Sequence, residues 1–275
     1  MGNNHYKRQG AMMINFDKPF YYPGELVSGI VYLNVLEAFD TRGLELSVKI
    51  KEAVKWFDVE IKTETKRVYD EQTKTHKDKR YQVSEKILRK DDKTLYKSSC
   101  MIATMNNNVF GFGQYAYPFQ FVLPQHLPGS FEYYDENVST YIKYTVKAKS
   151  LSFHGKENEL DTKSILIVRQ PAQNFQYPTN LSDTKAITTW CFFSQGSSTL
   201  NISYPKNHYC QDETVQVICG LNNSNCKVSA SCIKLQLMQK LNLRIRDNHG
   251  ISHNKYLSRC LAESRYEGHY VSQIN

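Results

Sequence analysis

The chain has 275 residues, of which 40% are apolar, and its 35 lysines and arginines outnumber 27 acidic residues to give a net charge of +8. This length allows one large domain or two domains of ordinary size. No run approaches the roughly 18 apolar residues of a membrane helix, and the first ten residues lack the apolar segment of a secretory signal, so neither feature is expected.

The first elements are predicted to be strands. The cluster Tyr22-Pro23-Gly24-Glu25 indicates a turn before an apolar run. Residues 44–56 then alternate, with Leu44 to Trp56 of one parity apolar and the intervening residues charged or polar. A period of two predicts a long strand with one buried and one solvated face.

The region 62–97 differs in composition, because it carries twelve lysines and arginines, seven acidic residues and few apolar side chains. It predicts a long exposed loop over 62–79 and a returning strand over 80–89. A helix across 85–95 is a second interpretation, since several of its residues tolerate helical structure.

Two further alternating runs follow. In residues 141–149, every second residue from Ile142 to Ala148 is apolar, and the residues between them are mainly lysines that would point outward. Residues 233–245 repeat this alternation. Prolines at Pro171 and Pro178 cannot donate a backbone hydrogen bond, so a boundary is predicted near 170–184. A weak repeat, residues 24–34 laid on 212–222, also favours two similar domains.

Many strands separated by polar turns, with no helical period, predict an all-β protein. We expect β-sandwiches, arranged as two domains in tandem. The expected ranges are 1–170 for the first domain, 171–184 for a linker and 185–275 for the second.

The candidate chemistry for an enzyme or a metal protein is weak. The odd count of seven cysteines, without a signal peptide, predicts reduced thiols in the cytosol. They form no C-x2-C pair, so no structural zinc site is expected. His249 and His253 have no glutamate between them, and Gly111-Phe112-Gly113 lacks the lysine of a phosphate loop. We therefore expect no catalytic residues, no metal and no cofactor.

Four stretches resemble the arrestin family, and its α-arrestin (arrestin-domain-containing) branch in particular. The first is the Tyr-x-Pro-Gly-Glu turn at 21–25, and the second is the long strand that ends at Trp56. The third is a series of motifs in chain order: Pro118-Phe119, Leu123-Pro124, Leu127-Pro128-Gly129-Ser130-Phe131 and Tyr141-Ile142-Lys143-Tyr144. The fourth is the start of a second domain at Trp190. The resemblance implies two immunoglobulin-like arrestin β-sandwiches in tandem, the second short or incomplete because only about 90 residues follow the boundary. It also implies a non-catalytic adaptor or scaffold. Its partners would be cytosolic parts of membrane proteins, for trafficking or endocytic sorting, in the cytoplasm or peripheral at membranes or endosomes.

By the same resemblance, the segment 62–79 takes the place of the loop that probes a receptor. The hypothesis is that five cations of this region contact acidic or phosphorylated tails, or anionic lipid: Lys66, Arg67, Lys77, Lys79 and Arg80. Arg169 resembles the arginine of an interdomain charged core. The chain has no Pro-Pro pair, so the Pro-Pro-x-Tyr motif that recruits WW-domain ligases is missing.

Other functions remain open at this point. One is a structural subunit of a stable assembly, such as a retromer-like coat, because a short second sandwich would need a partner. Another is a basic protein that binds phospholipid or nucleic acid. The net charge of 62–97 is only +5 with the signs well mixed, which disfavours a dedicated nucleic-acid groove.

Overall fold

The computed structural model describes residues 10–72, 74–105, 107–153, 160–171, 178–189, 193–209, 213–247 and 249–270. Every regular element in these ranges is a β-strand, so the all-β prediction is confirmed. Among the same residues, no helix is long and apolar enough to cross a membrane.

The chain divides into two compact units. The first contains Met1–Gln170 and Ile245–His253, and the second contains Pro171–Arg244 and Asn254–Asn275. A strand begins at Thr179, within the range 171–184 that the sequence assigned to a linker. The division into domains at 1–170 and 185–275 stays a prediction.

The first unit contains a three-stranded antiparallel sheet with the order β1-β2-β7. Its strands are β1 (Gly10–Phe16), β2 (Leu26–Val35) and β7 (Gly113–Val122). Two short strands, β3 (Phe39–Asp40) and β6 (Val109–Phe110), pair separately.

The second sheet of this unit has the order β10-β9-β4-β5, with β8 paired to β9. Its strands are β4 (Gly43–Asp70), β5 (Thr75–Thr104), β8 (Phe131–Tyr134), β9 (Val138–Ser150) and β10 (Asp161–Leu166). All its pairings are antiparallel.

One core holds the two sheets together, because each strand places alternate apolar residues in it. Leu44, Leu46, Val48, Ile50 and Trp56 are buried, as the alternation over 44–56 predicts. Residues of β9 and β2 supply the neighbouring side chains: Tyr144, Val146, Ala148, Val27, Val31, Leu33 and Val35. Each fully buried side chain of this size contributes roughly 1.5–3 kcal/mol of hydrophobic stabilisation.

The turn at 22–25 has a specific cause. The amide of Glu25 donates to the carbonyl of Tyr22 at 3.1 Å, and Gly24 between them has φ +83°. Proline second and a positive-φ glycine third are the signature of a type II turn. The Glu25 carboxylate accepts from the Tyr22 amide at 2.7 Å and from Lys18 Nζ at 2.6 Å, which holds the pKa of Glu25 below its usual value.

The Leu-Pro-Gly-Ser segment is fixed by two hydroxyl groups. The buried hydroxyl of Tyr144 donates to the carbonyl of Pro128. Ser130 Oγ accepts from the amide of Val168 at 3.0 Å, and the Ser130 amide donates to the Val168 carbonyl at 2.7 Å. The spacing of these motif residues therefore reflects a loop tied to β9 and to the strand end near 168.

The predicted loop over 62–79 is wrong, and so is the helix across 85–95. Strand β4 continues to Asp70 and β5 starts at Thr75, and the two pair from Asp70↔Thr75 down to Gly43↔Thr104, with register shifts at Ile50/Lys51 and Leu44/Glu45. Low apolar content does not prevent a strand here, because Thr63, Thr65 and Val68 are β-branched and favour extended backbone.

The second unit has two separate β-structures. One is an antiparallel sheet in the order β11-β12-β13, from β11 (Thr179–Thr189), β12 (Phe193–Tyr204) and β13 (Ile218–Asn222). The other is the pair β14 (Ala230–Arg246) and β15 (Ser252–Tyr270). Of the second unit's described residues, only Asn223 and Leu243 are buried.

The alternation over 233–245 predicts the strand but overstates its burial. Leu243 and Ile245 are buried, whereas Leu237 is 57% exposed. Strand β14 has one partner strand, β15. Within the described ranges, the apolar parity of this two-stranded pair is therefore buried at its Leu243–Ile245 end and exposed at Leu237.

Candidate functional site

The most exposed part of the first unit is a two-stranded ribbon, residues 57–70 and 75–88. Strand β9 accompanies β4 only from Leu44 to Trp56, where Val138 is the last partner. Beyond that point β4 pairs with β5 alone. Fourteen residues at about 3.3 Å each give the ribbon a reach of about 45 Å.

Contacts across the two strands hold the ribbon in register. At the base of the ribbon, the side chain of Arg89 is 19% exposed. Its guanidinium donates a hydrogen bond to the Glu60 carboxylate and lies 3.6 Å from the Asp58 carboxylate. Further out, Lys62 is hydrogen-bonded to Glu85, which raises the pKa of the lysine. At the tip the rings of Tyr69 and His76 meet edge to face at 5.1 Å.

The five cations predicted to bind anions all lie in the outer half of the ribbon and are exposed. Directly paired residues of an antiparallel ribbon share a face, and the face alternates along each strand. Lys66 lies opposite Lys79. Lys77 lies opposite Val68, two residues along from Lys66, and therefore on the same face.

Arg67 and Arg80 lie on the other face of the ribbon. Arg67 is opposite Asp78 and Arg80 is opposite Thr65. The structure thus divides the predicted set into a lysine triplet and an arginine pair. Val59 and Ile61, 61% and 67% exposed, share the arginine face nearer the base.

Arg169 is placed away from the ribbon, one residue after buried Val168. Its amide donates to the carbonyl of Tyr21 at 2.9 Å, and its guanidinium lies 4.0 Å from the centre of the Phe20 ring. Its contact within the described ranges is thus a cation–π interaction, and it forms no ion pair there. A role in an interdomain charged core stays a prediction.

The histidine pair singled out in the sequence has a local partner. His253 Nε2 lies 3.0 Å from the Asp247 carboxylate, which also accepts from the amides of His249 and Ile251. The hydrogen bond to His253 is the main cause that lowers the pKa of Asp247. Within the described ranges no three His, Cys, Asp or Glu side chains converge as metal ligands would.

Sequence reasoning missed a second basic surface, which we call the lysine cleft. It has a volume of about 340 Å³ on the outer face of the β10-β9-β4-β5 sheet. Its lining includes Lys49, Lys51, Lys97, Lys143, Lys147 and Lys163. The outward parity of the lysines in 44–56 and 141–149 was visible in the sequence, but not the register that brings them together.

Two comparisons with known proteins bear on this architecture. A family described as "Arrestin (or S-antigen), N-terminal domain" matches residues 12–171. Arrestin domain-containing protein A of Dictyostelium discoideum is 23% identical over 266 residues, which is 95% of this chain and 41% of that protein. The chain therefore spans well under half the length of this relative.

Proposed function

The chain belongs to the arrestin family, with the N-terminal domain accounting for 12–171, and we propose that it is a non-catalytic adaptor that binds cytosolic parts of membrane proteins. Its work would be trafficking or endocytic sorting, in the cytoplasm and peripherally at membranes or endosomes. The observation that carries the proposal is the exposed, cation-bearing ribbon at the edge of a well-packed sandwich.

The ribbon is suited to binding rather than to stabilising the fold. From Val59 to Tyr69 the described residues of β4 are exposed or half-buried on both faces, so few core contacts depend on them. Lys66 and Lys79 face each other, an arrangement that costs stability unless anions neutralise it. Lys66 has one carboxylate near it, that of exposed Glu64 at 3.8 Å. An acidic or phosphorylated tail would supply that charge.

The apolar residues of the ribbon add a second kind of contact. Val59 and Ile61 expose most of their side chains on the arginine face. A tail with both acidic and apolar residues would therefore find partners for both on the arginine face. Its carboxylates or phosphates would pair with Arg67 and Arg80, and its apolar side chains would pack on Val59 and Ile61.

The test is charge reversal of the five ribbon cations to glutamate in the full chain. Binding of fluorescent phosphoserine-rich tail peptides is measured by anisotropy at about 50 and 300 mM salt, because screening grows over that range. We expect at least about a tenfold loss of affinity at low salt, which corresponds to about 1.4 kcal/mol, and a smaller loss at high salt.

A matched control reverses five exposed cations of the second unit: Lys185, Lys227, Lys234, Lys240 and Arg265. It should keep the wild-type affinity for the peptides. Unchanged binding by the ribbon variant, or an equal loss in the control, would refute the proposal, because the second result means that net charge alone decides binding.

A second candidate function is a structural subunit of a stable assembly. It is favoured by the second unit, where large apolar side chains are exposed on both β-structures: Leu181 at 54%, Phe193 at 67%, Ile218 at 71% and Tyr256 at 73%. Affinity capture from cells followed by mass spectrometry separates the two functions. Several transmembrane partners at low occupancy support the adaptor, and one stoichiometric partner supports the subunit.

A further inference from the structure

The lysine cleft is built from three rows of residues that cross the sheet. Strand pairing places Lys49 opposite Lys97, Lys51 opposite Lys143, and Lys147 opposite Lys163. Rows two residues apart along a strand are about 6.6 Å apart, and neighbouring strands are about 4.8 Å apart. Six ammonium groups are therefore carried on a patch about 14 Å across.

Three like-charged pairs in one patch are unfavourable for the sheet itself. Identical charges directly opposite one another destabilise a strand pair. Lysines at a sheet edge can protect it from aggregation, but β9 and β4 are interior strands with neighbours on both sides. Edge protection therefore does not account for Lys49, Lys51, Lys143 or Lys147.

Nearby carboxylates neutralise only half of this charge. Lys51 pairs with Asp92 at 2.8 Å, Lys143 with Glu132 at 2.7 Å and Lys147 with Asp161 at 2.6 Å. The cleft's lining contains none of these carboxylates. Within the described ranges Lys49, Lys97 and Lys163 have no ion pair, so the cleft keeps a local charge near +3.

The remaining lining groups suit oxyanions. Ser47, Thr145 and Tyr141 bring hydroxyl groups to the same cleft. Lys143 lies 4.8 Å from the centre of the Tyr141 ring, which restricts where its ammonium group can point. The positive potential also stabilises the charged form of the nearby Asp92 carboxyl group. Its pKa is lowered first by its hydrogen bond to Lys51 and then by the charges of Lys51, Lys49 and Lys90.

We propose that the lysine cleft binds a compact molecule carrying two or more clustered phosphate groups. Lys49, Lys97 and Lys163 supply the unneutralised charge, and the Thr145 hydroxyl donates a hydrogen bond to a phosphate oxygen. The Ser47 hydroxyl already donates to the carbonyl of Lys147 at 3.4 Å. A volume of about 340 Å³ falls at the small end of ligand sites. That size fits a phosphorylated headgroup or small metabolite better than an extended chain.

The position of the cleft also argues against a peptide that adds a strand. Such a peptide pairs with a free sheet edge through its backbone, whereas the cleft lies on the face of interior strands. The proposal is independent of the ribbon, since no ribbon residue lines the cleft. Each can therefore fail without the other.

The decisive variant is K49Q/K97Q/K163Q in the full chain. Inorganic tripolyphosphate is the probe, and its affinity is measured by calorimetry. We expect binding to weaken by at least about tenfold, because each lost charge-assisted contact to a phosphate costs more than an ordinary hydrogen bond. The control K185Q/K227Q/K240Q removes the same charge from the second unit and should bind as the wild type does.

A second readout separates a binding site from a fold defect. Removing like-charged neighbours should leave the thermal midpoint of the unliganded triple variant equal to or above that of the wild type. Tripolyphosphate should raise the midpoint of the wild type and of the control but not that of the triple variant. A lower midpoint with the ligand-induced rise intact would overturn the proposal.

Vesicles distinguish the source of the phosphates. Vesicles bearing a bisphosphorylated inositol lipid are compared with phosphatidylserine vesicles of equal charge. Preference for the phosphorylated lipid, lost in the triple variant, identifies a lipid headgroup. Binding of soluble tripolyphosphate alone, again lost in the variant, identifies a free metabolite. Equal binding of all anions, or binding only of phosphopeptide or RNA, refutes the proposal.

Discussion

Replacing Tyr144 with phenylalanine should lower stability at neutral pH and also flatten its dependence on alkaline pH. The side chain is fully buried, and its hydroxyl donates to the carbonyl of Pro128. Y144F keeps the ring and leaves that carbonyl without its donor. The cost of such an unmade hydrogen bond is about 1–3 kcal/mol. For a unit of this size each kcal/mol lowers the melting midpoint by about 2–4 °C.

The alkaline loss of stability should occur in the wild type and not in the variant. Burial raises the pKa of Tyr144 to about 12, so the folded protein keeps this proton between about pH 10 and 12 while the unfolded chain loses it. The wild type therefore loses up to about 2–3 kcal/mol of stability across that window. Phenylalanine has no proton to lose, so the variant lacks this contribution.

Urea unfolding followed by circular dichroism at pH 8, 10, 11 and 12 measures both effects. The difference between wild type and Y144F should be largest at pH 8 and should shrink towards pH 12. Y81F serves as the control, since Tyr81 lies on the ribbon and is 42% exposed. Parallel stability curves for the wild type and Y144F across this range would refute the burial argument.

Two further changes test local packing. G24A should destabilise the first unit by about 1–2 kcal/mol in thermal melts, because Gly24 has φ +83° and an L-residue is strained there. G111A is the control and should change stability little in the same melts, because its Cβ would meet only the Tyr115 hydroxyl at 3.6 Å. A double-mutant cycle of F20L and R169Q should give a coupling energy of about 0.5–1 kcal/mol for the cation–π contact; a coupling near zero would contradict it.

The sandwich of the first unit could be predicted because its strands have one solvated face and one buried face. Over 44–56 the alternation named five residues that are buried, Leu44, Leu46, Val48, Ile50 and Trp56, and one, Val54, that is half-buried. The same test applied to the ribbon failed, because a ribbon with both faces solvated has no apolar parity to detect. Its strands are held by pairing and by contacts such as Lys62 with Glu85, which depend on register.

In the second unit the alternation predicts a strand correctly but does not predict its burial. The pattern over 233–245 correctly predicts a strand, yet Leu237 remains exposed. Alternation reports which face would be buried if a second layer existed, and it does not report whether that layer is present. Likewise, among the described residues 213–222 of the proposed repeat, only Ile218–Asn222 form a strand, while residues 24–34 lie mainly in the ten-residue β2.

The lysine cleft could not have been found from periodicity, because it depends on the register between three pairs of strands. The sequence places Lys49 and Lys51 on one outward parity and Lys143 and Lys147 on another, and each set alone is an ordinary solvated face. If β9 moved by one residue against β4, Lys51 would lie opposite an apolar neighbour of Lys143, and the buried parity would turn outward. The requirement to bury Tyr144 and Val146 therefore also enforces the pairing Lys51↔Lys143. Core packing fixes the register, and the register concentrates the positive charge.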